Sequence, residues 1–503
     1  MNEIYLYKRN TGEYNFIMAY PAVEEFALSS LGYMWLFKLA DELNGINASK
    51  ISTDKIDINK NSIDALAFSL SFDFDFMGVF EILEKLEIPF YKRDRGEGCP
   101  LIFSGGPVIS TNPIPYEAFF DFMIIGDGEE IFLNVLNILK KRLPKQETLD
   151  ELSKLEGVYI EGKQVNKTTV NLKNVIYTPI LSENSYFKNT FIIELSRGCM
   201  NRCAFCTASY LNLPYRYNDY TKIIDAIELG LKHTNKIALL GAQISAHPEF
   251  NKIMKFLRDK IENGENIELG ISSLRTDAVN PELVQTLVLG GQKHSTIAIE
   301  AASERLRKLI NKNLKEQQIL NAVRICRENG LKGLKIYSMI GIPTETDKDI
   351  DEFIELAKKI KSQNKGFNIE FSFSTFVPKP NTPMQWAMRE DTKSLEAKQK
   401  YLEKNLNKLG MASKFSSPKW DSWQTVLSRG DKDISKLLVE VYKKGGKIGA
   451  YKSAAKELMI DVSNYLGEYR QDEPLPWDVI NIEPRKELLI NELNRLKKYS
   501  VSE

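Results

Sequence analysis

A regular alternation of strand-like and helix-like segments over residues 191–376 constrains the fold of this chain more than any other feature. Six short apolar runs are typical of strands: Phe191–Leu195, Lys236–Leu240, Ile267–Ser272, Thr296–Glu300, Leu334–Ile340 and Glu370–Phe376. Five intervening segments have apolar residues at helical spacing: Tyr220–Lys232, Glu249–Asn263, Pro281–Leu289, Glu316–Asn329 and Asp347–Lys361. Such alternation indicates a parallel sheet covered by helices. We therefore predict a partial (β/α)6 barrel over residues 191–385, with its chemistry at the carboxyl ends of the strands.

The N-terminal part of the chain contains a second alternating series. Apolar runs at Phe16–Tyr20, Ala65–Leu70, Leu101–Phe103 and Phe122–Ile125 are separated by helical stretches such as Glu25–Leu43 and Phe76–Leu86. This pattern predicts βαβ units and a Rossmann-like α/β domain over residues 1–145. Residues 146–190 are mixed in character and form a predicted connector.

Residues 386–503 have a different, charged and mainly helical pattern. Helices are predicted at Lys393–Leu409, Ile434–Tyr442, Ala450–Leu458 and Arg485–Lys498. The last of these is basic and amphipathic, which is typical either of a solvated surface helix or of one that binds a partner or a nucleic acid. We treat this segment as a helical C-terminal extension.

Two glycine-containing turns follow strands of the N-terminal series. They are Ser104-Gly105-Gly106-Pro107 and Gly126-Asp127-Gly128-Glu129. In an open α/β sheet, ligands bind beyond the carboxyl ends of the strands, where these turns would lie. The alternative is that the glycines only permit tight turns, because the chain lacks a full dinucleotide-binding fingerprint at these positions.

Charge and hydropathy narrow the class of protein. The chain has 503 residues, with 68 Lys and Arg against 67 Asp and Glu, so its formal charge is only +1. This balance does not indicate a nucleic-acid-binding protein, which normally carries an excess of cations. No run approaches the 18–20 apolar residues of a membrane span, and the N-terminal sequence lacks the apolar core of a signal peptide. We therefore expect a cytoplasmic protein of several domains without a membrane partner.

Three of the five cysteines are clustered directly after the first strand of the barrel series. Cys199, Cys203 and Cys206 have the spacing C-x3-C-x2-C. Soft thiolate ligands select zinc, Cu(I) or iron–sulfur clusters. A structural zinc site needs a fourth ligand, and no His or Cys occurs in the 25 residues after Cys206. Three thiolates on a [4Fe–4S] cluster instead leave one iron open to a small molecule, while zinc and unrelated buried cysteines remain as alternatives.

Several further segments occur in register with this cysteine motif. Phe205 comes directly before the last cysteine. At the ends of the second to fifth predicted strands lie Leu240-Gly241-Ala242-Gln243, Ser272-Ser273-Leu274-Arg275, Glu300-Ala301 and Gly341-Ile342-Pro343-Thr344-Glu345-Thr346. A helix begins at Ser303-Glu304-Arg305-Leu306. This combination resembles the radical S-adenosylmethionine (radical SAM) superfamily, and in particular its members with an N-terminal cobalamin (B12)-binding-like domain. The turn at Gly241 departs from the Gly-Gly-Glu that is usual there.

The resemblance implies an enzyme that reductively cleaves S-adenosylmethionine (SAM) to a 5′-deoxyadenosyl radical for modification of a substrate. It implies that Cys199, Cys203 and Cys206 bind a [4Fe–4S] cluster. The residues that it assigns to SAM are Phe205, Gly241, Ala242, Ser272, Arg275, Glu300, Arg305 and Gly341. A reductant such as flavodoxin or ferredoxin is the implied protein partner. The alternative is a non-catalytic iron–sulfur protein that transfers electrons or acts as a sensor.

Cobalamin is implied less directly. The residues assigned to it are Ser104, Gly105, Gly106, Gly126, Gly128 and Glu129, and methyl transfer is the reaction expected if it binds. Many cobalamin domains supply an axial imidazole, but no histidine precedes His233 in this chain. The domain therefore either binds cobalamin without a protein imidazole or serves as a scaffold. Methylthiotransferases are disfavoured, because they use three further N-terminal cysteines and only Cys99 is present here.

Overall fold

A six-stranded sheet forms the N-terminal part of the computed structural model, which describes residues 3–59, 62–482 and 486–500. The strands of this part are β1 (Glu3–Tyr5), β2 (Tyr14–Tyr20), β3 (Ile46–Ser52), β4 (Ala65–Ser69), β5 (Leu101–Gly105), β6 (Phe122–Ile124) and β7 (Val158–Tyr159). Its helices are α1 (Glu24–Ala27), α2 (Leu31–Asp41), α3 (Phe76–Lys85), α4 (Pro107–Thr111), α5 (Glu129–Leu139) and α6 (Lys145–Leu152). The order is β3-β2-β4-β5-β6-β7, and only β7 is antiparallel to its neighbour.

This sheet confirms the Rossmann-like prediction and corrects two details. The helix expected over Glu25–Leu43 is divided into α1 and α2, and Ser30 lies at the start of α2 in an extended conformation. Strand β3 was not predicted. It lies at the edge of the sheet and contains Asn47, Ser49 and Lys50, so it lacks the apolar run of a strand that is buried on both faces.

The two faces of the sheet are covered by different parts of the chain. Helices α2 and α5 pack on one face, together with Phe16 and Phe103 of the strands. On the other face, the core around Phe76 and Phe80 of α3 continues into helices near the C-terminus. The C-terminal extension therefore completes the core of the N-terminal domain.

A short connector links this domain to the second sheet. It contains β8 (Val165–Asn166) and β9 (Ile180–Ser182), and β9 pairs antiparallel with β1. The connector thus joins the start of the chain to the entrance of the barrel.

Seven parallel strands form the barrel, one more than predicted. The seven strands are β10 (Thr190–Glu194), β13 (Lys236–Leu240), β14 (Glu268–Ile271), β15 (His294–Glu300), β16 (Gly333–Ile340), β17 (Asn368–Thr375) and β18 (Ala412–Phe415). Two further short strands, β11 (Ser196–Arg197) and β12 (Arg216–Tyr217), form a separate antiparallel pair. The helices are α7 (Thr207–Tyr210), α8 (Tyr220–Leu231), α9 (Phe250–Glu262), α10 (Pro281–Leu289), α11 (Glu304–Leu309), α12 (Glu316–Glu328), α13 (Asp347–Gln363) and α14 (Thr392–Lys408). Strands β10-β13-β14 and β15-β16-β17-β18 form two sheets, and one bridge between Leu274 and Ile297 joins them. The added strand is β18, which extends the sheet beyond β17.

The remaining elements lie outside the barrel. They are α15 (Pro418–Ser428), α16 (Asp433–Lys443), α17 (Ile448–Glu457), α18 (Ser463–Leu466), β19 (Ile480–Asn481) and α19 (Lys486–Leu496). Helix α19 is the predicted basic helix, and its predicted first residue, Arg485, lies outside the described residues. None of the helices in the described part of the chain has the length and apolar character needed to span a membrane.

Candidate functional site

The three clustered cysteines lie on one loop at the carboxyl end of the first barrel strand. This cysteine loop (residues 198–206) begins after β11, which pairs antiparallel with β12. Gly198 has φ +80°, and a Cβ atom there would lie 2.4 Å from the Asn212 carbonyl oxygen. Only glycine fits this position, so the sharp turn into the loop is specified locally. All three cysteines line one cavity of about 180 Å³, which we call the thiol cavity.

Two of the clustered cysteines, Cys199 and Cys203, are buried, and Cys206 is half-buried. The Asn201 amide donates to the Cys199 sulfur at 3.4 Å, and the Cys199 thiol donates to Gln243 Oε1, also at 3.4 Å. Burial raises the pKa of Cys203 to about 12, against the opposing effect of the Lys312 ammonium. In the described part of the chain, no three His, Cys, Asp or Glu side chains are arranged to hold one metal ion. The three cysteines therefore share one cavity lining without forming a site for a single ion.

The opposite walls of the thiol cavity come from the ends of neighbouring strands. Five of the residues that the resemblance assigned to SAM line it: Phe205, Gly241, Ala242, Arg275 and Glu300. Phe205 belongs to the cysteine loop itself, and the other four follow or end strands β13, β14 and β15. The barrel topology brings them together because the carboxyl ends of parallel strands share one edge of the sheet.

The turn after β13 packs against the cysteine loop. A Cβ atom at Gly241 would lie 2.8 Å from Ser196 Oγ and 3.0 Å from a methyl group of Ile244. Any larger residue would press on Ser196 of β11, the strand that leads into the cysteine loop. The glycine therefore allows the turn to lie close to β11.

A buried ion pair completes the cavity wall. Lys312 Nζ lies 2.9 Å from Glu300 Oε1, and both side chains are nearly covered. Burial acts to lower the pKa of Lys312, but Glu300 more than offsets this effect, so the pKa is raised and the ammonium is retained. Lys312 was not predicted as a site residue, because it follows α11 and not a strand. Lys312 lies twelve residues after Glu300, and this spacing alone does not indicate that the two side chains pair.

Three other predicted residues do not line the thiol cavity within the described chain. Ser272 is exposed, and its neighbour Ser273 occupies the cavity wall instead. Arg305 binds Asp349 at 2.5 Å and donates to the carbonyl oxygens of Tyr499 and Ser500. The Gly341 backbone donates to Glu345 Oε2 at 2.7 Å. Arg305 therefore secures the C-terminal turn, and Gly341 belongs to a neighbouring loop.

Two further cavities lie at the strand ends of the N-terminal domain. The interdomain cavity, of about 350 Å³, is bordered by Arg197 of the barrel, and the inner cavity, of about 290 Å³, reaches between the strands. The two cavities lie side by side, because both are lined by Gly32, Leu36, Gly106, Pro107, Gly126 and Gly128.

The residues that the resemblance assigned to cobalamin line the interdomain and inner cavities, except for Ser104. Gly106, Gly126 and Gly128 line both cavities, Gly105 lines the inner one and Glu129 the interdomain one. Ser104 is fully buried behind them and donates to the Phe68 carbonyl oxygen at 3.0 Å. Its position in the sheet supports the turn without reaching the cavity.

A group of charged residues joins the two domains beside the cysteine loop. Arg197 pairs with Asp127 at 2.9 Å, Glu129 at 2.6 Å and Glu194 at 2.8 Å, and we call these four residues the charged clamp. Burial would lower the pKa of Arg197, but the surrounding carboxylates raise it. Arg216 also pairs with Asp127, at 2.5 Å. The clamp holds the Gly126–Glu129 turn against the loop that carries the cysteines.

Known proteins share both halves of this arrangement. Residues 193–357 match the family described as the radical SAM superfamily, and residues 39–161 match the family of N-terminal domains of radical SAM proteins. An uncharacterised protein of Methanocaldococcus jannaschii, MJ0966, is 30% identical over 466 residues, which are 90% of this chain and 96% of that protein.

Two solved enzymes have a similar fold. One is the radical SAM methyltransferase TsrM from Kitasatospora setae, solved with cobalamin and a [4Fe–4S] cluster bound. It has a TM-score of 0.55 and 12% identity, covering 90% of this chain and all of that one. The other is the cobalamin-dependent SAM radical enzyme OxsB, with a TM-score of 0.52 and 14% identity, covering 96% of this chain and 78% of that one.

The family matches fall on the two domains that form the thiol cavity and the interdomain cavity, and the match to MJ0966 extends over nearly the whole chain. The chain therefore belongs to the radical SAM superfamily and has the fold of its cobalamin-dependent members.

Proposed function

We propose that this protein is a radical SAM enzyme whose three clustered cysteines hold a [4Fe–4S] cluster and whose thiol cavity holds SAM. The observation that carries the proposal is the shared cavity: the thiols form one wall, and Gly241, Arg275 and Glu300 form the other. A protein that only transfers or senses electrons does not require a polar cavity beside its cluster. The cavity therefore favours the enzyme over that alternative.

The donor set fits an iron–sulfur cluster. Thiolates are the usual protein ligands of such clusters, and hydrogen bonds to the sulfurs adjust the reduction potential. Asn201 already donates to Cys199. The ammonium of Lys312 acts on Cys203 in the direction that favours the thiolate. These contacts support the binding of an anionic cluster in the cysteine loop.

The opposite wall fits the charged groups of SAM. The guanidinium of Arg275 can bind a carboxylate through paired hydrogen bonds. Glu300 is held by Lys312 and presents an acceptor to an amine or a hydroxyl group. One-electron cleavage of the sulfonium is the chemistry that a cluster and SAM supply when both are bound. The chain itself binds and orients the two groups and covers them with the barrel.

The interdomain and inner cavities fit a corrinoid. Their shared lining is mostly glycine and apolar side chains, which suits a large, flat ligand with an extended tail. Leu31, Trp35, Leu211 and Leu240 provide further apolar walls. No histidine lines either cavity among the described residues, so we propose a corrinoid held without a protein imidazole. Methyl transfer is the chemistry that such a cofactor supplies, and we propose it as the reaction.

Product analysis under anaerobic conditions tests the proposal. The reconstituted full-length protein is incubated with SAM, hydroxocobalamin and titanium(III) citrate, and the products are quantified by mass spectrometry. We expect 5′-deoxyadenosine or S-adenosylhomocysteine from the wild type. The Arg275→Ala variant, with a complete cluster, should form less than a tenth of that amount. An intact cluster that yields neither product would contradict the proposal.

A further inference from the structure

The basic helix at the C-terminus lies directly over the cysteine loop. Leu496 of α19 packs in the same apolar core as Ala204, which lies between two of the cysteines. Arg495 donates to Asn311 Oδ1 at 3.1 Å, and Asn311 in turn donates to the carbonyl oxygens of Asn201 and Arg202. The end of the helix is therefore anchored to the loop itself.

Cations are concentrated on the outer side of this contact. Arg202 and Arg495 are exposed on either side of Asn311, and Lys497 and Lys498 are exposed in the turn that directly follows α19. Together we call these four residues the basic surface. Arg495 is 50% exposed and pairs with the single neighbouring carboxylate of α19, Glu492. A local excess of positive charge thus lies next to Cys203 in a chain whose overall formal charge is only +1.

We propose that the basic surface is the docking site of an acidic one-electron carrier protein, of the flavodoxin kind, which reduces the cluster. This inference rests on the proposed cluster and identifies the partner of that same site. SAM is proposed to occupy the thiol cavity on the inner side of the cysteine loop, so the carrier approaches the outside of that loop. Electron transfer needs a short path, and the exposed Arg202 is covalently adjacent to Cys203.

Charge complementarity supports this occupant. Opposite charges around a contact accelerate association by about 10- to 1,000-fold at low salt, and this acceleration is lost as salt screens the charges. A nucleic acid would also be attracted, but nothing in its chemistry would explain a surface attached to the cysteine loop. The anchoring of α19 at Asn311 therefore favours an electron donor.

The test measures the rate of cluster reduction in the reconstituted full-length protein. Photoreduced acidic flavodoxin is mixed with the wild type and with the Lys497→Glu/Lys498→Glu variant in a stopped-flow instrument. We expect the second-order rate constant of the variant to fall about tenfold or more at 0.05 M salt, and the difference to shrink below about twofold at 0.5 M salt. The neutral Lys497→Gln/Lys498→Gln variant should give an intermediate rate.

Two controls separate docking from other effects. The Lys452→Glu/Lys456→Glu variant makes the same charge change on α17, which packs against the N-terminal domain, and it should react like the wild type. Reduction by the methyl viologen radical cation should not be slowed in any of these variants.

Four results would overturn the proposal. Three of them concern the reduction rate: an unchanged rate of the Lys497→Glu/Lys498→Glu variant with flavodoxin, an equal loss of rate in the α17 variant, and equal slowing with methyl viologen. The fourth is a Lys497→Glu/Lys498→Glu variant that no longer binds a single-stranded RNA probe but is reduced by flavodoxin at the normal rate. Failure of the proposed function looks different, because the cluster would then be reduced at the normal rate without cleaving SAM.

Discussion

The guanidinium of Arg197 donates a 2.6 Å hydrogen bond to the carboxylate of Glu129, which joins the barrel to the N-terminal domain two residues before the first cysteine. Glu129 begins helix α5 beside the interdomain cavity, and Arg197 lies in β11 at the entrance to the cysteine loop. Together with the pairs that Arg197 and Arg216 form with Asp127, this contact links the proposed corrinoid site to the proposed cluster site. Methyl transfer requires such fixed geometry between the reacting groups.

Removal of Arg197 should destabilise the protein strongly. The Arg197→Gln variant leaves Glu129 and Glu194 buried without their cation, and breaking a buried pair in this way costs about 3 kcal/mol or more. Urea denaturation followed by circular dichroism measures the free energy of unfolding. The control is Arg324→Gln, which breaks an exposed pair with Glu328 and should cost less than about 1 kcal/mol. Equal costs for the two variants would contradict a structural role of the clamp.

Loss of one clustered cysteine should abolish the cluster, while loss of an isolated cysteine should not. Cys203→Ala removes one of three proposed ligands, whereas Cys326 is buried on α12, away from the thiol cavity. After anaerobic reconstitution, we expect about four iron atoms per chain in Cys326→Ala and fewer than about one in Cys203→Ala. Iron analysis and visible absorbance check this result. A full iron content in Cys203→Ala would show that the ligands are elsewhere.

A bulky residue at Gly32 should block the corrinoid without disturbing the fold. Gly32 lies on α2 and lines both cavities of the N-terminal domain, and a Cβ atom there meets nothing within 4 Å. We expect Gly32→Phe to weaken hydroxocobalamin binding at least about tenfold in a spectroscopic titration. The matched control, Gly32→Ala, should retain binding and gain up to about 1 kcal/mol in stability, because glycine is unfavourable in a helix. Normal binding by Gly32→Phe would exclude these cavities as the corrinoid site.

Glu345 should make the protein less stable as the pH rises toward neutrality. Burial raises the pKa of this carboxyl from 4.5 to about 7, even though Lys398 lies 2.8 Å away and acts in the opposite direction, while Glu390 adds to the increase. Between these two values the unfolded chain releases a proton that the folded chain retains. The stability contributed by the protonated carboxyl is therefore present below about pH 4.5 and is lost by about pH 7.

The Glu345→Gln variant should remove this dependence. The difference in the free energy of unfolding, variant minus wild type, should increase by at most about 3 kcal/mol from pH 4.5 to pH 7. Urea denaturation at several pH values gives this difference directly. A constant difference over that range would show that Glu345 is ionised in the folded protein.

Much of the fold was predictable because buried parallel strands leave a clear signal. All six predicted barrel strands are present, since each is an apolar run bounded by a helical pattern. Strands β3 and β18 were missed because each lies at a sheet edge and carries polar residues, such as Lys50 and Lys414. The helix expected over Glu25–Leu43 contains a break at Ser30 that hydrophobic spacing alone does not reveal.

The site was predictable only where the motif spacing follows the strand order. Gly241, Arg275 and Glu300 lie beside the thiol cavity because each follows or ends a strand, and their assignment to SAM stays a prediction. The role of Lys312 depends on a loop that folds back after α11, so its contact with Glu300 is a tertiary feature. The contact of Arg305 with the end of the chain is likewise formed between residues nearly two hundred positions apart.

The most direct test of the account is whether SAM binds to an iron of the cluster in this cavity. Electron–nuclear double resonance on the reduced wild-type protein, with SAM labelled with ¹⁵N at its amino group, detects such a bond. We expect a hyperfine coupling from that nitrogen in the wild type, and its loss or marked weakening in Arg275→Ala. A cluster whose resonance is unchanged by SAM, with no nitrogen coupling, would contradict the central claim.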